Sequence, residues 1–345
     1  MRRVGLSCLN GKEQLARAIY DEEGRVLLRE GILLTPSFIQ RLQALGITAA
    51  YIEDEISQGI EINDVVSEET RQESKRAIAS TMNRLIRRGD ISLQGIVTAS
   101  QKIIDDILPQ KEVMVNLIDI RSTADALFSH SVNVCILAVI TAINMGYNIA
   151  KMKELATGAL LHDIGKTKIT RENPPGSNRF SIDRTKYREH PKLGYDILNK
   201  HSIDAYIKTI VLTHHEHCDG SGFPLGLHKE EIYEMAKIVS ICNAFDNILH
   251  GNQEEYQVPP YQVIEFLEAS PDIFDANIIK NLVVNVSVYP SGCKVELNSG
   301  ELCIVVRQNL GFPSRPVVRV LADGNNTEHD LSQELSIFIE KMRDD

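Results

Sequence analysis

The sequence predicts a mainly α-helical protein with a small α+β module at its N-terminus and a small β-rich subdomain at its C-terminus. Three observations support this fold class. Apolar residues recur at helical spacing over about 92–286, short mixed segments precede that region, and alternating apolar residues follow it. A chain of 345 residues is also long for one domain. We expect four regions: an α+β module (1–66), a helical connector (67–118), a helical domain (119–286) and a β-rich subdomain (287–345).

The N-terminal module is predicted from local strand and helix signals. ARAIYDEEGRVLL has the pattern of two strands around a Glu-Gly turn, and ITAAYIED that of a further strand. TPSFIQRLQALG between them is typical of a short helix, with Thr35 as N-cap, Pro36 in the first position and Gly46 past the end. The module carries no phosphoacceptor pattern or cofactor signature.

The connector is expected to begin with a helix over residues 67–88. Ser67 is a typical N-cap, and apolar residues follow at helical spacing: Ile78, Met82, Leu85 and Ile86. The basic residues of this helix either form a solvated face or bind a phosphate, and we favour the solvated face.

The helical domain contains several strongly apolar segments. SVNVCILAVITAINMG is apolar nearly all round, which predicts a helix buried in the core. KELATGALLHDIGK is expected to be a second helix, ended by Gly165, and a polar insert follows it. Three further helices are predicted, in REHPKLGYDILNK, IDAYIKTIVLTHHEH and EEIYEMAKIVSICNAFDNIL.

The C-terminal subdomain is predicted from a change to period two. CKVELNSGELCIVVRQN indicates two strands around an Asn-Ser-Gly turn, and RPVVRVLAD a third. We expect a small barrel or meander with a terminal helix. These strands either cap the bundle or offer an edge for pairing in a homodimer.

The composition excludes some classes of function. The net charge is −10, which argues against sequence-independent binding of DNA or RNA. No apolar run approaches the ~20 residues of a membrane span, and the N-terminus lacks an apolar signal core. The 6 cysteines are scattered without a C-x-x-C pair, as in reduced cytosolic proteins. We therefore expect a cytoplasmic protein without a membrane or nucleic-acid partner.

A cluster of histidines indicates a metal centre. THHEHCDGSGFP places His214, His215 and His217 close together, and a buried polar ring is costly unless something holds it. Other candidate ligands stand at the ends of, or within, the apolar helices: His130, His162, Asp163, His190, Asn243 and Asp246. Imidazole with carboxylate suits iron, manganese or zinc, and the absence of nearby thiolates argues against a structural zinc site.

These ligands are too many for one ion and fit two ions with Asp163 bridging them. A two-metal site binds phosphate oxygens and activates water for attack on phosphorus. Lys166 would then hold a phosphate oxygen or protonate the leaving group. Its alternative role is that of a surface lysine at a helix end, where its charge is favourable.

The order H…HD…H…HH, with HDIGK, REHPKLGYDIL and HHEHCDGSGFP, resembles the HD-GYP family of cyclic-di-GMP phosphodiesterases, within the HD phosphohydrolase superfamily. The similarity covers roughly Asp119–Asn285. It implies an HD-type helical bundle with a centre of two or three metal ions, commonly iron or manganese. It also implies hydrolysis of cyclic-di-GMP to pGpG or GMP, an N-terminal regulatory module and a bacterial source.

The resemblance assigns roles to individual residues. His214 and His215 would complete the second ion with His190 and the bridging Asp163, while His217 is not expected to be a ligand. Asp163 and Lys166 would be catalytic. Lys166 and the glycine-rich loop, through its backbone, would bind substrate, and the loop residues are Gly220, Gly222 and Phe223.

The sequence departs from the family pattern around the first ion and in the loop. Asn243 stands where the family has a metal-binding aspartate, and Asn243 brings no charge to that ion. Asp246, one helical turn on, would replace it as a ligand only if the helix rotated. Ala126 stands where a glutamate supports a third ion in some members, so two ions are expected. Phe223 keeps the ring of the family's tyrosine without its hydroxyl.

Asn252 and Glu255 stand where the family usually carries an arginine and a lysine that grip the nucleotide phosphates. A carboxylate facing a phosphate repels it.

Three functions are consistent with these residues. The leading one is a phosphodiesterase for cyclic-di-GMP or a related cyclic dinucleotide. The second is a domain without turnover that senses a ligand or docks a partner such as a diguanylate cyclase. The third is a phosphohydrolase with another substrate.

Overall fold

The fold is known from a computed structural model of the chain, which confirms the predicted mainly α-helical class with small β units at both ends. It describes residues 1–21, 25–62, 64–110, 114–115, 126–169, 184–250, 258–321 and 326–343.

The N-terminal module is an α+β unit, as predicted. Its elements are β1 (Arg2–Gly5), β2 (Gln14–Leu15), β3 (Ile19–Tyr20), β4 (Val26–Leu28), α1 (Pro36–Ala44) and β5 (Ala49–Glu53). The strands form an antiparallel sheet in the order β1-β5-β2 and a separate β3-β4 hairpin. The Thr35 hydroxyl accepts a hydrogen bond from the Phe38 amide at 3.4 Å, and Gly46 has φ +75°, so both predicted ends of α1 are confirmed.

The connector contains α2 (Glu68–Arg88) and α3 (Gln94–Ile107). Ser67 caps α2 by accepting from the Thr70 amide at 3.2 Å. Three of the four apolar residues at helical spacing are buried, whereas Ile86 is 63% exposed. It follows Leu85 directly, and a turn of about 100° per residue carries its side chain onto the solvent face.

The helical domain consists of a central helix and the helices around it. They are α4 (Ala126–Asn144), α5 (Ile149–Leu161), α6 (Arg184–Tyr187), α7 (His190–Leu198), α8 (Ala205–Thr213), α9 (Glu234–His250), α10 (Pro260–Glu268) and α11 (Ala276–Val283). Helix α4 packs against α5, α9 and α11, which confirms the predicted core helix. Helix α5 ends at Leu161, earlier than the predicted Gly165, because His162 closes the helix and a 3₁₀ segment, Ile164–Lys168, follows.

Within the part of the chain that the structure describes, one helix meets the length and hydropathy of a membrane span. It is Leu127–Asn144, in α4, and 78% of that stretch is buried inside the protein. That burial is typical of the core helix of a globular fold, where all-round apolarity serves packing.

One hydrophobic core extends through the connector and the helical domain. Ile78 of α2, Ile103 of α3 and Ile136 of α4 belong to the same cluster of buried side chains. The N-terminal module and the C-terminal subdomain have separate cores. The predicted boundary between connector and helical domain stays a prediction, but α2 is fixed against α4 by packing.

The C-terminal subdomain is one antiparallel sheet in the order β10-β6-β7-β8-β9. Its strands are β6 (Lys294–Leu297), β7 (Leu302–Arg307), β8 (Val317–Val320), β9 (Glu328–Asp330) and β10 (Ile339–Arg343). The predicted terminal helix was wrong, because β10 pairs with β6 and Ile339 enters the core of the sheet. Pairing in a homodimer through an edge of this sheet stays a prediction.

Candidate metal centre

The candidate ligands converge because they stand at the ends of helices that meet. His162 closes α5, His190 begins α7, and His214 closes α8. His130 lies in the first turns of α4 and Asn243 within α9. Helix ends leave backbone groups free to bond side chains, so a histidine there can be held by its own helix.

The three histidines at helix ends are oriented by local backbone. The Nδ1 atom of each lies within hydrogen-bond distance of the carbonyl oxygen three residues earlier: His162 to Ala159 (2.7 Å), His190 to Tyr187 (2.7 Å) and His214 to Val211 (2.8 Å). A carbonyl only accepts, so Nδ1 carries the proton and Nε2 keeps its lone pair. All three Nε2 atoms are therefore available as ligands.

The first ligand group is His130, His162 and Asp163, whose ligand atoms lie within 4.8 Å of one another. The Nε2 atoms of His130 and His162 are 3.2 Å apart, and Asn243 Oδ1 lies 3.0 Å from His130 Nε2. All four side chains are buried. Nitrogen and oxygen donors facing one point at this spacing are the arrangement that a divalent ion requires.

The second ligand group is His190, His214 and His215, also within 4.8 Å of one another. The Nε2 atoms of His190 and His214 are 3.2 Å apart. His215 Nε2 is buried and has no hydrogen-bond partner among the residues that the structure describes. A buried polar atom without a partner is costly, so this nitrogen fits a metal ligand better than a packing role.

Asp163 lies between the two ligand groups. Its Oδ2 is 3.3 Å from His162 Nε2 and 3.8 Å from His130 Nε2. Its Oδ1 is 3.2 Å from His190 Nε2 and 4.0 Å from His214 Nε2. One carboxylate thus presents one oxygen to each group, which is the geometry expected for a bridging ligand.

The electrostatics of the site favour the protonation states that bind metal. Burial opposes ionisation of Asp163, but His162 and Lys166 outweigh it and hold its pKa well below the usual range. Burial, and then repulsion by neighbouring imidazoles, holds the pKa values of His214 and His215 well below 6.5. Neutral imidazoles and an ionised carboxylate are the forms that ligate metals.

Lys166 and Tyr187 lie beside the bridging carboxylate. Lys166 Nζ donates to Asp163 Oδ2 at 2.5 Å and lies 5.2 Å from the centre of the Tyr187 ring. Burial alone would lower the pKa of Lys166, but the charge of Asp163 and the contact with Tyr187 outweigh it and raise that pKa. The lysine is therefore a cation at the metal centre, not a surface residue at a helix end.

The glycine-rich loop folds back on the histidine segment. The buried Glu216 carboxylate accepts from the Leu225 amide at 2.7 Å and from the Leu227 amide at 2.9 Å. A Cβ on Gly222 would lie 2.4 Å from the His217 amide nitrogen, so only glycine allows this close packing. The loop is held in place by these contacts.

Phe223 is stacked between the metal centre and an arginine. Its ring is 4.5 Å from that of His215 with the planes 17° apart. The guanidinium of the exposed Arg188 also lies over the Phe223 ring, 4.8 Å from its centre. This stacking places a positive charge beside the second ligand group.

The chain resembles known families in two regions. Residues 112–278 match the HD domain family, and residues 294–345 match the KOW domain associated with HD domains. Residues 112–278 of this chain are therefore an HD domain. The adjacent residues His162 and Asp163 both belong to the first ligand group, and Asp163 also faces the second.

Relatives of this HD domain protein are cyclic-dinucleotide phosphodiesterases. A cyclic di-GMP phosphodiesterase of Pseudomonas aeruginosa is 29% identical over 258 residues, which cover 72% of this chain and 60% of the relative. A 3'3'-cGAMP-specific phosphodiesterase of Vibrio cholerae is 26% identical, covering 54% of this chain and 43% of the relative. This chain thus spans less than two thirds of the length of either protein. The predicted resemblance to this group of phosphodiesterases is confirmed.

Among solved structures, an HDG"Y"P protein from Bdellovibrio bacteriovorus is similar to this HD domain protein. It is 19% identical, with a TM-score of 0.47, and the match covers 81% of this chain and 97% of that chain.

The structure brings some of the predicted site residues together and leaves others apart or undescribed. It brings together seven predicted ligands: His130, His162, Asp163, His190, His214, His215 and Asn243. Among the described residues, neither ligand group includes His217, which contacts Ser221 instead. Asn252 and Glu255 lie outside the described residues, as does the side chain of Ala126.

Sequence reasoning missed Tyr187 and Arg188 at the HD domain site. Both stand just before His190 in YREHP, and that proximity in sequence was the available signal. Asp246, expected to be a ligand only if its helix rotated, has its Oδ2 2.6 Å from His130 Nδ1, on the far side of that ring from Nε2.

Proposed function

We propose that this protein is a metal-dependent phosphodiesterase that hydrolyses cyclic-di-GMP, or a related cyclic dinucleotide, to pGpG or GMP. The observation that carries the proposal is the position of Asp163, with one oxygen toward each ligand group. Two ions, when bound, would supply Lewis acidity toward a phosphodiester and lower the pKa of water. The relatives named above support a cyclic dinucleotide as the substrate class.

Two divalent ions fit the donor set. The first would be held by His130, His162, Asn243 and Asp163, and the second by His190, His214, His215 and Asp163. Imidazole and carboxylate donors without thiolate favour iron or manganese. The side chain of Asn243 contributes an oxygen but no charge, so the first ion is the weaker one.

Positive charge at the site supports binding of a phosphodiester. Lys166 is protonated at neutral pH and lies at the bridging carboxylate, where it would hold a phosphate oxygen or donate a proton to the leaving oxygen. Arg188 stands on Phe223 at the mouth of the site and would contact a second phosphate oxygen. Phe223 would contact a base through its ring edge, since His215 and Arg188 lie against its faces, and Gly220 and Gly222 would contact it through backbone.

A second candidate function follows from Asn243. Its Oδ1 accepts from Asn247 Nδ2 at 2.8 Å, so the oxygen is partly engaged. If the first ion binds too weakly for turnover, the domain would sense a ligand or dock a partner such as a diguanylate cyclase. The loop that carries Gly222, held by Glu216 and exposed at Leu225, would be the docking element. In either function we infer a bacterial, cytoplasmic protein.

The test is hydrolysis of cyclic-di-GMP by protein purified without oxygen, with metal content measured on the same sample. We expect about two iron or manganese ions per chain and production of pGpG or GMP. A parallel assay with 3'3'-cGAMP and a linear dinucleotide would define the substrate class. Bound metal without hydrolysis of any of these would contradict the phosphodiesterase and favour the sensor or docking function.

A further inference from the structure

His130 is held differently from the other histidines of the ligand groups. His162, His190 and His214 each place Nδ1 against a carbonyl of their own segment. His130 Nδ1 instead lies 2.6 Å from Asp246 Oδ2, which joins α4 to α9. The orientation of His130 therefore depends on tertiary structure, whereas local backbone orients the other three.

Asp246 is itself held by a chain of buried polar contacts. Its Oδ1 accepts from Asn133 Nδ2 at 3.1 Å. The Oδ1 atom of Asn133 accepts from Arg71 Nη1 at 2.9 Å. Arg71 belongs to α2, so a side chain of the connector reaches the ligand His130 through two intermediates.

Burial makes these contacts energetically important. Arg71 is 4% exposed, Asn133 1% and Asp246 1%. A buried charge without compensation costs several kcal/mol, and the opposite charges of Arg71 and Asp246, linked through Asn133, offset part of that cost. The amide of Asn133 can satisfy both neighbours at once, since it donates to Asp246 and accepts from Arg71.

We propose that Arg71, Asn133 and Asp246 form a positioning relay for His130, through which the connector helix α2 contributes to the first metal site. A carboxylate on Nδ1 fixes the tautomer and strengthens Nε2 as a ligand. It also brings negative charge to the ligand group in which Asn243 brings none. Arg71 lies outside residues 112–278, so the first metal site extends beyond the region that matches the HD domain. The relay rests on the proposed metal binding.

The decisive variant is Asp246→Asn, which keeps the shape of the side chain and removes its charge. We expect the first ion to bind ~10- to 100-fold more weakly, as for other carboxylates behind metal-bound histidines. The second ion should bind as in the wild type, because backbone carbonyls orient His190 and His214 and, among the described residues, none of its ligands contacts Asp246. Titration of metal-free protein with Mn²⁺, followed by metal analysis after desalting, separates the two sites. Asp246→Glu should restore part of the affinity.

The connector arm of the relay is tested by Arg71→Met with Arg76→Met as its control. Both arginines lie on α2, but Arg76 is exposed. Arg71→Met should weaken the first ion and leave the second unchanged, while Arg76→Met should change neither. If Arg71→Met does not fold, Asn133→Ala breaks the same link with a smaller change, and the same loss at the first ion is expected.

The outcomes distinguish the relay from the proposed function. Wild-type protein that takes up no metal would overturn both. If the wild type binds two ions and Asp246→Asn binds both of them with wild-type affinity, the relay alone is overturned. Equal loss of both ions in Asp246→Asn would also overturn it, because a general structural defect does not select the first site.

Discussion

Asp163 Oδ1 lies 3.2 Å from His190 Nε2, although the aspartate follows α5 and the histidine begins α7. A Cβ on Gly165 would lie 1.9 Å from the His190 carbonyl oxygen, so the glycine is what allows the two segments to meet this closely. The other oxygen of Asp163 faces the first ligand group. One carboxylate therefore couples the two groups.

Asp163→Asn should reduce bound metal to one ion per chain or fewer and lower the rate of hydrolysis at least ~100-fold. The amide cannot give an anionic oxygen to both groups, so the loss should affect both ions. Metal analysis and product formation measure the two effects. Asp196→Asn, on the exposed side of α7, is the matched control. Full metal content in Asp163→Asn would argue against the bridging role.

Asn243→Asp should raise occupancy of the first site and increase activity. The substitution restores a charged oxygen beside His130 Nε2, where the present amide oxygen lies at 3.0 Å. We expect ~10-fold tighter binding of the first ion, about 1.4 kcal/mol. Asn277→Asp, at an exposed position of α11, controls for added charge. A fully loaded Asn243→Asp protein that remains inactive would favour the sensor or docking function.

Arg188→Met should weaken substrate binding without removing metal. The guanidinium on Phe223 is the exposed positive charge beside the second ligand group, and a charge-assisted contact with phosphate is lost. We expect KM to rise about tenfold, equivalent to about 1.4 kcal/mol, with metal content unchanged. Lys192→Met, exposed on α7, is the control. An unchanged KM would exclude Arg188 from the substrate site.

The metal-free protein should lose stability as the pH falls below about 6.5. Burial and neighbouring imidazoles hold the pKa values of His214 and His215 well below 6.5 in the folded protein, whereas in the unfolded chain they titrate near 6.5. Below that pH the unfolded chain binds more protons, so the free energy of unfolding decreases by up to about 1.4 kcal/mol per pH unit for each group. Stability is thus present above pH 6.5 and lost on acidification.

Urea denaturation of metal-free protein between pH 5 and 8 measures this slope. His215→Gln should flatten it, because one of the two buried imidazoles no longer titrates. Asn199→Gln, an exposed amide at the end of α7 that does not titrate, is the control and should leave the slope unchanged. A free energy of unfolding independent of pH over this range would contradict the lowered pKa values.

Local patterns in the sequence were sufficient to predict most of the helices and the candidate ligands that the structure brings together. Helical spacing predicted α4 as a core helix, Thr35 and Gly46 marked the ends of α1, and the order of histidines predicted a two-group metal centre. These signals are local, since caps and periodicity depend on residues within a few positions. They failed for the last strand, β10, because its conformation depends on pairing with β6, more than 40 positions earlier.

The sequence by itself predicted which side chains could ligate metal, and the weakening of one ion by Asn243 stays a prediction. Only the tertiary structure decided how those side chains are shared and supported. His130 and Asp246 are 116 positions apart, and no periodicity relates them. The division of Asp163 between two groups, the stacking of Arg188 on Phe223 and the buried link from Arg71 all require separate helices to meet. Their geometry is set by packing of the common core, which is a property of the whole chain.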